Sequence, residues 1–551
     1  MSGLLINYAG VPHEISSLFP DNGLAILAAA LEEKNQKVRI LDFSTTDTIR
    51  QVYTEEIRKP LSDIASDVFG PGRLDQRQTS ALQGLDDLII RSENRFLQQS
   101  IDFLNRHIKR HRIVWVGFKL WMGAIRQSMT MAAALKKTHP RLRIFGGGPG
   151  ADLFQEAILQ KYPFIDALVL SEGEQSLPLL VEWLGGKLKR ARIPGILYRD
   201  GIKIRRNPVE RITDLNHLPY PVYDPEIYPA MAGDGKMKIL CFDDGRGCPM
   251  GCAFCPGTAK FGTTRIEKTA DRCVAELEHL TARHGVTYYR FSGSNTSAGL
   301  LSEIADRLLS RSLDITFAVF TSALGLTAAA VRKLARAGLY SIFTGIESVD
   351  DHQRKHLLGK SQSIRHLTTV FEACRDSGVF ISTSVIHPAP FASGAILEKN
   401  LDYLVALLKG YENCSVALYP AGLYPHTKWF ERLEDFGFSL QGVSREAYIE
   451  TLLDYRYNIV LPRYLWKDLP YALNGRPFKH LLMETNELAT HLQQHGILTY
   501  LVEANLMMAP ALGYRRYKDF ARDSNIAFFS GDASRLEQWN EQFNRIQKQP
   551  H

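Results

Sequence analysis

The sequence predicts an α/β protein built from two successive strand–helix arrays, and three observations predict it. Short apolar runs alternate with amphipathic helical periods over residues 1 to about 200. A proline-rich stretch without periodicity then breaks the pattern, and between about 237 and 425 the strand–helix unit repeats six times. A chain of 551 residues is too long for one core and divides into several domains.

Each element follows from its pattern. LLINYA reads as the first strand and GLAILAAALEEKNQ as an amphipathic helix, and VRILDF, IVWVGF, LRIFGG and ALVLSE are further strands. The rhythm argues a doubly wound, Rossmann-like sheet over 1–204, with a polar, helix-like insertion at 45–110. Residues 205–236 carry five prolines and read as a surface linker. KILCFD, VTYYRFS, ITFAVFT, YSIFTG, FISTSVI and SVALYP are the strands of the second array. Helical periods follow near 267–284, 299–312, 327–337, 361–376 and 394–409. Six such units predict a partial (β/α)6, TIM-like barrel over 237–429, with its site at the carboxyl ends of the strands. Residues 430–551, rich in Tyr, Arg and Leu, read as a mostly helical C-terminal domain that closes over the barrel mouth.

Composition excludes several classes. Hydrophobic residues make up 45% and charged residues 23%, ordinary for a globular protein. The net charge of +7 is spread over 66 basic and 59 acidic residues without a Lys/Arg block, which argues against nucleic acid. MSGLLINYAG has no basic leader region, and no run approaches the roughly 18 apolar residues of a membrane span. Seven cysteines in so long a chain do not form a disulfide framework, so a reducing cytoplasm is expected.

Three of those cysteines carry the chemistry. RGCPMGCAFCPG follows the first barrel strand and places Cys248, Cys252 and Cys255 on one loop at the barrel mouth. Thiolates are the usual ligands of iron–sulfur clusters, and three ligands on a four-iron cluster leave one iron open. Gly247 and Gly251 let the backbone wrap closely. A zinc site is the competing reading, but zinc favours a fourth protein ligand. Buried structural thiols would not explain three cysteines in eight loop residues.

This C-x3-C-x2-C loop, with Phe254 before the last cysteine, resembles the radical S-adenosylmethionine superfamily. The resemblance implies a [4Fe–4S] cluster whose open iron chelates S-adenosylmethionine, reduced by a flavodoxin or ferredoxin to release a 5′-deoxyadenosyl radical. It also implies that Phe254 contacts adenine. Ser292, Gly293, Ser294 and Asn295 stand where the family carries Gly-Gly-Glu, so the methionine amine would meet Ser294 or Asn295. Glu347, in the GIES element, and Ser382 and Ser384, in ISTSVIHP, are the further candidates. Cys241, Cys273, Cys374 and Cys414 read as buried, inert thiols. His387, Tyr419 and Tyr424 follow barrel strands, facing substrate or packing. His352 and His356 share a solvated helix face, and Arg265 and Glu267 serve bound charges or cap a helix.

In the first domain, Gly146-Gly147-Gly148-Pro149-Gly150 follows a strand and would let a large ligand approach the backbone. Neither phosphate-cradling glycine motif is present. With PDNGLAILAAALEEKNQKVRILDF and DALVLSEGEQSLPLLVEWL, this region resembles the cobalamin-binding domain fused ahead of many radical S-adenosylmethionine barrels, and Ser171, Glu172, Gly173 and Glu174 are its most recognisable piece. The D-x-H-x-x-G element is absent, and His13 stands in the wrong pattern. The resemblance therefore implies cobalamin bound without a protein histidine, with Leu120 and Trp121 lining its lower face. It further implies methyl transfer from S-adenosylmethionine through cobalamin to an unactivated carbon of a small-molecule or peptide-derived substrate, with no catalytic acid or base demanded. A cobalamin-dependent cyclase or rearrangement enzyme is the rival reading, and a non-catalytic zinc- or cluster-binding protein the next.

Overall fold

A computed structural model describes residues 2–69, 74–456, 460–499 and 503–547. The chain separates into two units. The first comprises Met1–Met237 with Arg445–Val460 and Ile526–Glu541, and the second Lys238–Ser444 with Leu461–Asn525 and Gln542–His551. Residues 430–551, expected as one further domain, are therefore shared between the two.

In the first unit the strands are β1 (Ser2–Asn7), β2 (Lys37–Asp42), β3 (Ile113–Lys119), β4 (Arg143–Gly147), β5 (Ala167–Val169), β6 (Ile196–Asp200) and β7 (Lys203–Arg206). Their order in the sheet is β2-β1-β3-β4-β5-β6-β7. The first five run parallel, and β6 and β7 extend the sheet antiparallel. Because the winding reverses between β1 and β3, their carboxyl ends diverge around a topological switch point, where sheets of this kind bind ligands. The expected insertion is helical, at Thr46–Val52, Glu55–Val68 and Gln76–His111. The last begins at a capping box between Asp75 and Gln78. It then buries Leu82, Leu85, Ile89, Phe96, Leu97, Ile101, Leu104 and Ile108 along one face.

The expected linker at 205–236 is corrected by the structure. Arg205 and Arg206 belong to β7. Tyr223 and Tyr228 are fully buried, and the Ile40 N–H donates to Ile227 O at 2.7 Å, so the segment runs along the edge strand β2. Its prolines erase periodicity without preventing burial, because aromatic side chains need no regular spacing to reach a core. Lys236 is fully buried and pairs with the fully buried Asp42 at 2.7 Å.

In the second unit all six expected strands form. They are β8 (Leu240–Phe242), β9 (Tyr288–Phe291), β10 (Thr316–Phe320), β11 (Leu339–Glu347), β12 (Phe380–Ile386) and β13 (Cys414–Tyr419). They lie parallel in chain order, and a short seventh strand, β14 (Leu498–Thr499), joins beside β13. Sequence reading missed β14 because two paired residues leave no period. Because all seven are parallel, every carboxyl end lies on one side, and their sequential order is that of a barrel-type winding. Five helices alternate with the strands, at Ala270–His284, Ala298–Arg311, Ala328–Arg336, Ile364–Asp376 and Gly394–Leu408. Each starts at a Ser or Thr whose side chain accepts from an N–H of the first turn: Thr269, Ser297, Thr327, Ser363 and Ser393. No helix among the described residues is long and apolar enough to cross a membrane.

Candidate functional site

The cysteine loop leaves β8 at its carboxyl end and is braced from two sides. Gly247 has φ +83°, and a Cβ there would lie 2.1 Å from Thr264 O, so only glycine fits the start of the loop. The Ala253 N–H donates to Leu358 O at 3.0 Å, and Ala253 O accepts from the Trp429 N–H at 3.2 Å. The fully buried Trp429 also donates from Nε1 to Leu357 O at 3.0 Å, and Lys428 Nζ donates to Gly251 O at 3.2 Å. Cys248, Cys252 and Cys255 are partly exposed and form no disulfide. Burial pushes the Cys252 thiol up to about 11, and burial likewise raises that of Cys255.

The chemistry of this donor set fits a cluster better than a lone ion. Among the described residues no group of three or more His, Cys, Asp or Glu side chains converges to hold a single metal ion. Three half-buried thiols within eight residues of one loop suit a bulky inorganic core.

The strand ends beside the loop supply polar groups. Glu347, at the end of β11, is buried with φ +62°, a left-handed conformation uncommon outside glycine. Its Oε1 accepts from Ser384 Oγ at 3.0 Å and pairs with Lys360 Nζ at 3.3 Å. Lys360 also donates to Gly345 O at 3.1 Å and lies 5.9 Å from the Phe254 ring centre. Arg354, fully buried, holds the turn after Glu347 by donating to the carbonyls of Ile346, Ser348 and Gln362. Phe254 packs against Trp429, ring centres 5.6 Å apart.

The structure thus brings Glu347 and Ser384, from separate strand ends, beside the cysteine loop that carries Phe254. It separates Ser382, which is fully buried with its Oγ 3.3 Å from Ser415 Oγ. Sequence reasoning missed Lys360, whose only local mark is the positive-φ Gly359 before it.

The Ser292–Asn295 turn divides in role. Ser292 and Ser294 are exposed, and the Ser292 hydroxyl donates to Phe242 O at 3.0 Å. The Gly293 N–H donates to Asp244 Oδ1 at 2.9 Å, and Thr296 Oγ1 donates to Asp244 Oδ2 at 2.7 Å. Burial raises the Asp244 carboxyl to about 6. Asn295 is buried, with Oδ1 accepting the Ser322 N–H at 2.7 Å and Nδ2 donating to Cys248 Sγ at 3.6 Å.

Glu267 accepts from the Ser297 N–H and hydroxyl, both at 2.9 Å, so it supports a helix start. His352 and His356 are exposed as expected. Cys273, Cys374 and Cys414 are buried, whereas Cys241 is partly exposed. His387 is buried at the end of β12, and burial lowers its imidazole to about 4.

At the switch point of the first unit, the polar side chains pair with one another. Trp121, partly exposed, donates from Nε1 to Asn7 Oδ1 at 2.9 Å, and Asn7 Nδ2 donates to Asp42 Oδ1 at 2.9 Å. Lys119 Nζ pairs with Asp21 at 2.5 Å and lies 4.4 Å from the Trp121 ring centre. Leu120 is fully buried, so it packs inside the sheet layer rather than lining an open face.

The glycine run is largely used by the chain itself. A Cβ on Gly146 would lie 2.7 Å from Leu168 Cδ2, and one on Gly148 3.0 Å from Lys119 Cγ; Gly147 is less crowded, at 3.5 Å from Val169 O. Ser171 takes φ +61° and donates its N–H to Asp152 Oδ1 at 2.6 Å. Glu172 is buried and accepts the Ile212 N–H at 2.8 Å. A Cβ on Gly173 would lie 2.9 Å from Leu27 Cδ2, and Glu174 lines a surface depression with Glu33 and Arg211. His13 is exposed, its Nδ1 3.4 Å from Val11 O.

Comparison with known proteins gives this geometry a class. Residues 244–391 match the radical SAM superfamily, so the chain carries a radical SAM domain of that superfamily. Among individual proteins, it is similar to an uncharacterised methyltransferase of Pyrococcus horikoshii, 23% identical over 319 residues, which cover 57% of this chain and 68% of that one. It is also similar to the anaerobic magnesium-protoporphyrin IX monomethyl ester cyclase of Synechocystis sp., 25% identical over 230 residues, 40% of this chain and 45% of that one. The chain thus spans under half the length of that relative. Its fold is shared with TsrM, a radical S-adenosylmethionine methyltransferase of Kitasatospora setae solved with cobalamin and a [4Fe–4S] cluster. That match has a TM-score of 0.63 at 15% identity, over 97% of this chain and 99% of that one.

Proposed function

We propose that this protein is a cobalamin-dependent radical S-adenosylmethionine methyltransferase that delivers a methyl group to an unactivated carbon of a small-molecule or peptide-derived substrate. One observation carries the reading: a braced three-cysteine loop sits at the carboxyl edge of a sequentially wound parallel sheet, with Glu347, Lys360 and Ser384 beside it. When bound, the cluster supplies the electron that cleaves S-adenosylmethionine to a carbon radical, and cobalamin carries the methyl group.

The chain's own residues do the positioning. Cys248, Cys252 and Cys255 would hold three irons of the cluster, and three thiolates leave a four-iron cluster one iron for S-adenosylmethionine. Phe254 offers an aromatic face to adenine, and Lys360 and Glu347 offer one charge of each sign to an amino-acid moiety. Ser384 fixes the Glu347 carboxylate by donating to it. In the first unit, the partly exposed Trp121 presents an aromatic surface at the switch point, steadied by Asn7 and Lys119, which suits a large planar ligand without a protein histidine. A flavodoxin or ferredoxin in a reducing cytoplasm is the electron source this chemistry requires.

The test is anaerobic purification with hydroxocobalamin, followed by iron, sulfide and cobalt analysis and an absorption spectrum. About four irons and one cobalt per chain support the reading. Four irons without cobalt remove methyl transfer through cobalamin, and zinc without a chromophore removes the radical enzyme altogether. Incubation with candidate substrates and S-adenosylmethionine then separates methylation from ring closure by the mass gained.

A further inference from the structure

We infer that Asn295 tunes the cluster's reduction potential through its hydrogen bond to Cys248, and does not serve as a contact for S-adenosylmethionine. The inference rests on the cluster reading above and goes beyond it.

Two contacts fix the side chain. Its Oδ1 accepts the Ser322 N–H at 2.7 Å. A backbone N–H only donates, so this contact determines which end of the amide is oxygen. The Nδ2 donor is thereby committed to the other direction, where Cys248 Sγ lies 3.6 Å away. Asn295 is also 5% exposed, so solvent does not compete for the donor. The amide joins the turns after β9 and β10 to the first cluster ligand, using both its polar ends for this chain's own groups. A side chain so committed is badly placed to meet a ligand's amine. The exposed Ser294 next to it carries neither constraint.

The consequence is electrostatic. Reduction adds one electron to the cluster, and part of that charge falls on the ligand sulfurs. A donor N–H aimed at Sγ stabilises the more negative state, so it raises the reduction potential. The effect is strengthened by burial, where the local dielectric is low. The chain thereby places a neutral donor beside the cluster where a carboxylate would disfavour added negative charge.

The experiment is a redox titration of the [4Fe–4S] 2+/1+ couple, followed by electron paramagnetic resonance, on the full chain reconstituted anaerobically. Wild type is compared with Asn295→Leu and Asn295→Asp, each checked for iron and sulfide. Leu removes the donor at similar volume without adding charge. Asp keeps an acceptor for Ser322 N–H and loses the donor. The expected result is unchanged iron and sulfide content with the midpoint shifted to lower potential in both variants, further in Asp. Affinity of the reconstituted protein for S-adenosylmethionine, measured calorimetrically, should change less than twofold in the Leu variant.

An unchanged midpoint in Leu would overturn the inference, as would a tenfold loss of S-adenosylmethionine affinity at unchanged midpoint. Where Leu blocks cluster assembly, the smaller apolar Asn295→Val takes its place with the same expected shift. Wild-type protein that takes up no iron would instead overturn the cluster reading itself.

Discussion

In the first unit, the polar side chains at the carboxyl ends of the strands pair with one another: Lys119 with Asp21, Trp121 with Asn7, Asn7 with Asp42, and Asp42 with Lys236. In the second unit, the corresponding ends carry three thiols that form no disulfide, beside a Glu347–Lys360 pair. Both sheets are made from the same strand–helix unit, so the contrast comes from the loop residues and from the winding that places them. A reversal of winding opens a crevice between two neighbouring strands, and self-paired polar groups keep that crevice defined. Sequential winding has no such reversal, and loops far apart in sequence follow one another along the carboxyl edge. The first arrangement suits a ligand laid against an edge, and the second suits chemistry carried out at a point.

The largest test of this contrast removes the thiols. Replacing Cys248, Cys252 and Cys255 together with Ala should abolish iron and sulfide binding while thermal unfolding of the first unit is unchanged. Retained stoichiometric iron would mean that the second unit's strand ends are not a cluster site.

The next test breaks the self-paired rim of the first unit. Lys236→Met leaves Asp42 buried without its cation, although Tyr228 and Asn7 still donate to it. The expected loss is about 3–5 kcal/mol of stability in denaturant unfolding. A loss below about 1 kcal/mol would show that the pair does not hold the rim.

A smaller effect separates packing from ligand binding in the glycine run. Gly146→Ala forces a Cβ toward Leu168 and Leu120, at 2.7 and 3.0 Å. It should cost about 1–3 kcal/mol by overpacking, with or without cobalamin present. A stability effect that appears only with cobalamin bound would return this glycine to the ligand site.

The smallest effect is a pH dependence in the second unit. Burial raises the Asp244 carboxyl to about 6, above its value in the unfolded chain. The folded state therefore binds the proton more tightly, and stability falls as pH rises from about 4 to about 6, by at most about 1.4 kcal/mol per pH unit. Asp244→Asn keeps an acceptor for the Gly293 N–H and should flatten that slope in unfolding measured between pH 4 and 7. An unchanged slope would place the titration elsewhere.

Much of this architecture is legible in the sequence because it is local. Short apolar runs marked all six expected strands of the second sheet and the first five of the first. Ser and Thr caps mark the helix starts, and the cysteine spacing marks a metal-binding loop, because three thiols that close in sequence have few other uses. The packing of 207–236 was not legible, since prolines and aromatic residues bury there without a period; the β6–β7 hairpin was overlooked, although Gly201 opens its two-residue turn at φ +63°. Tertiary structure alone brought Lys360 to Glu347, separated Ser382 from Ser384, and turned Asn295 toward Cys248. Asn295 and Cys248 follow different strands, whereas Lys360 returns to Glu347 across one strand–helix loop; neither approach follows from a local pattern.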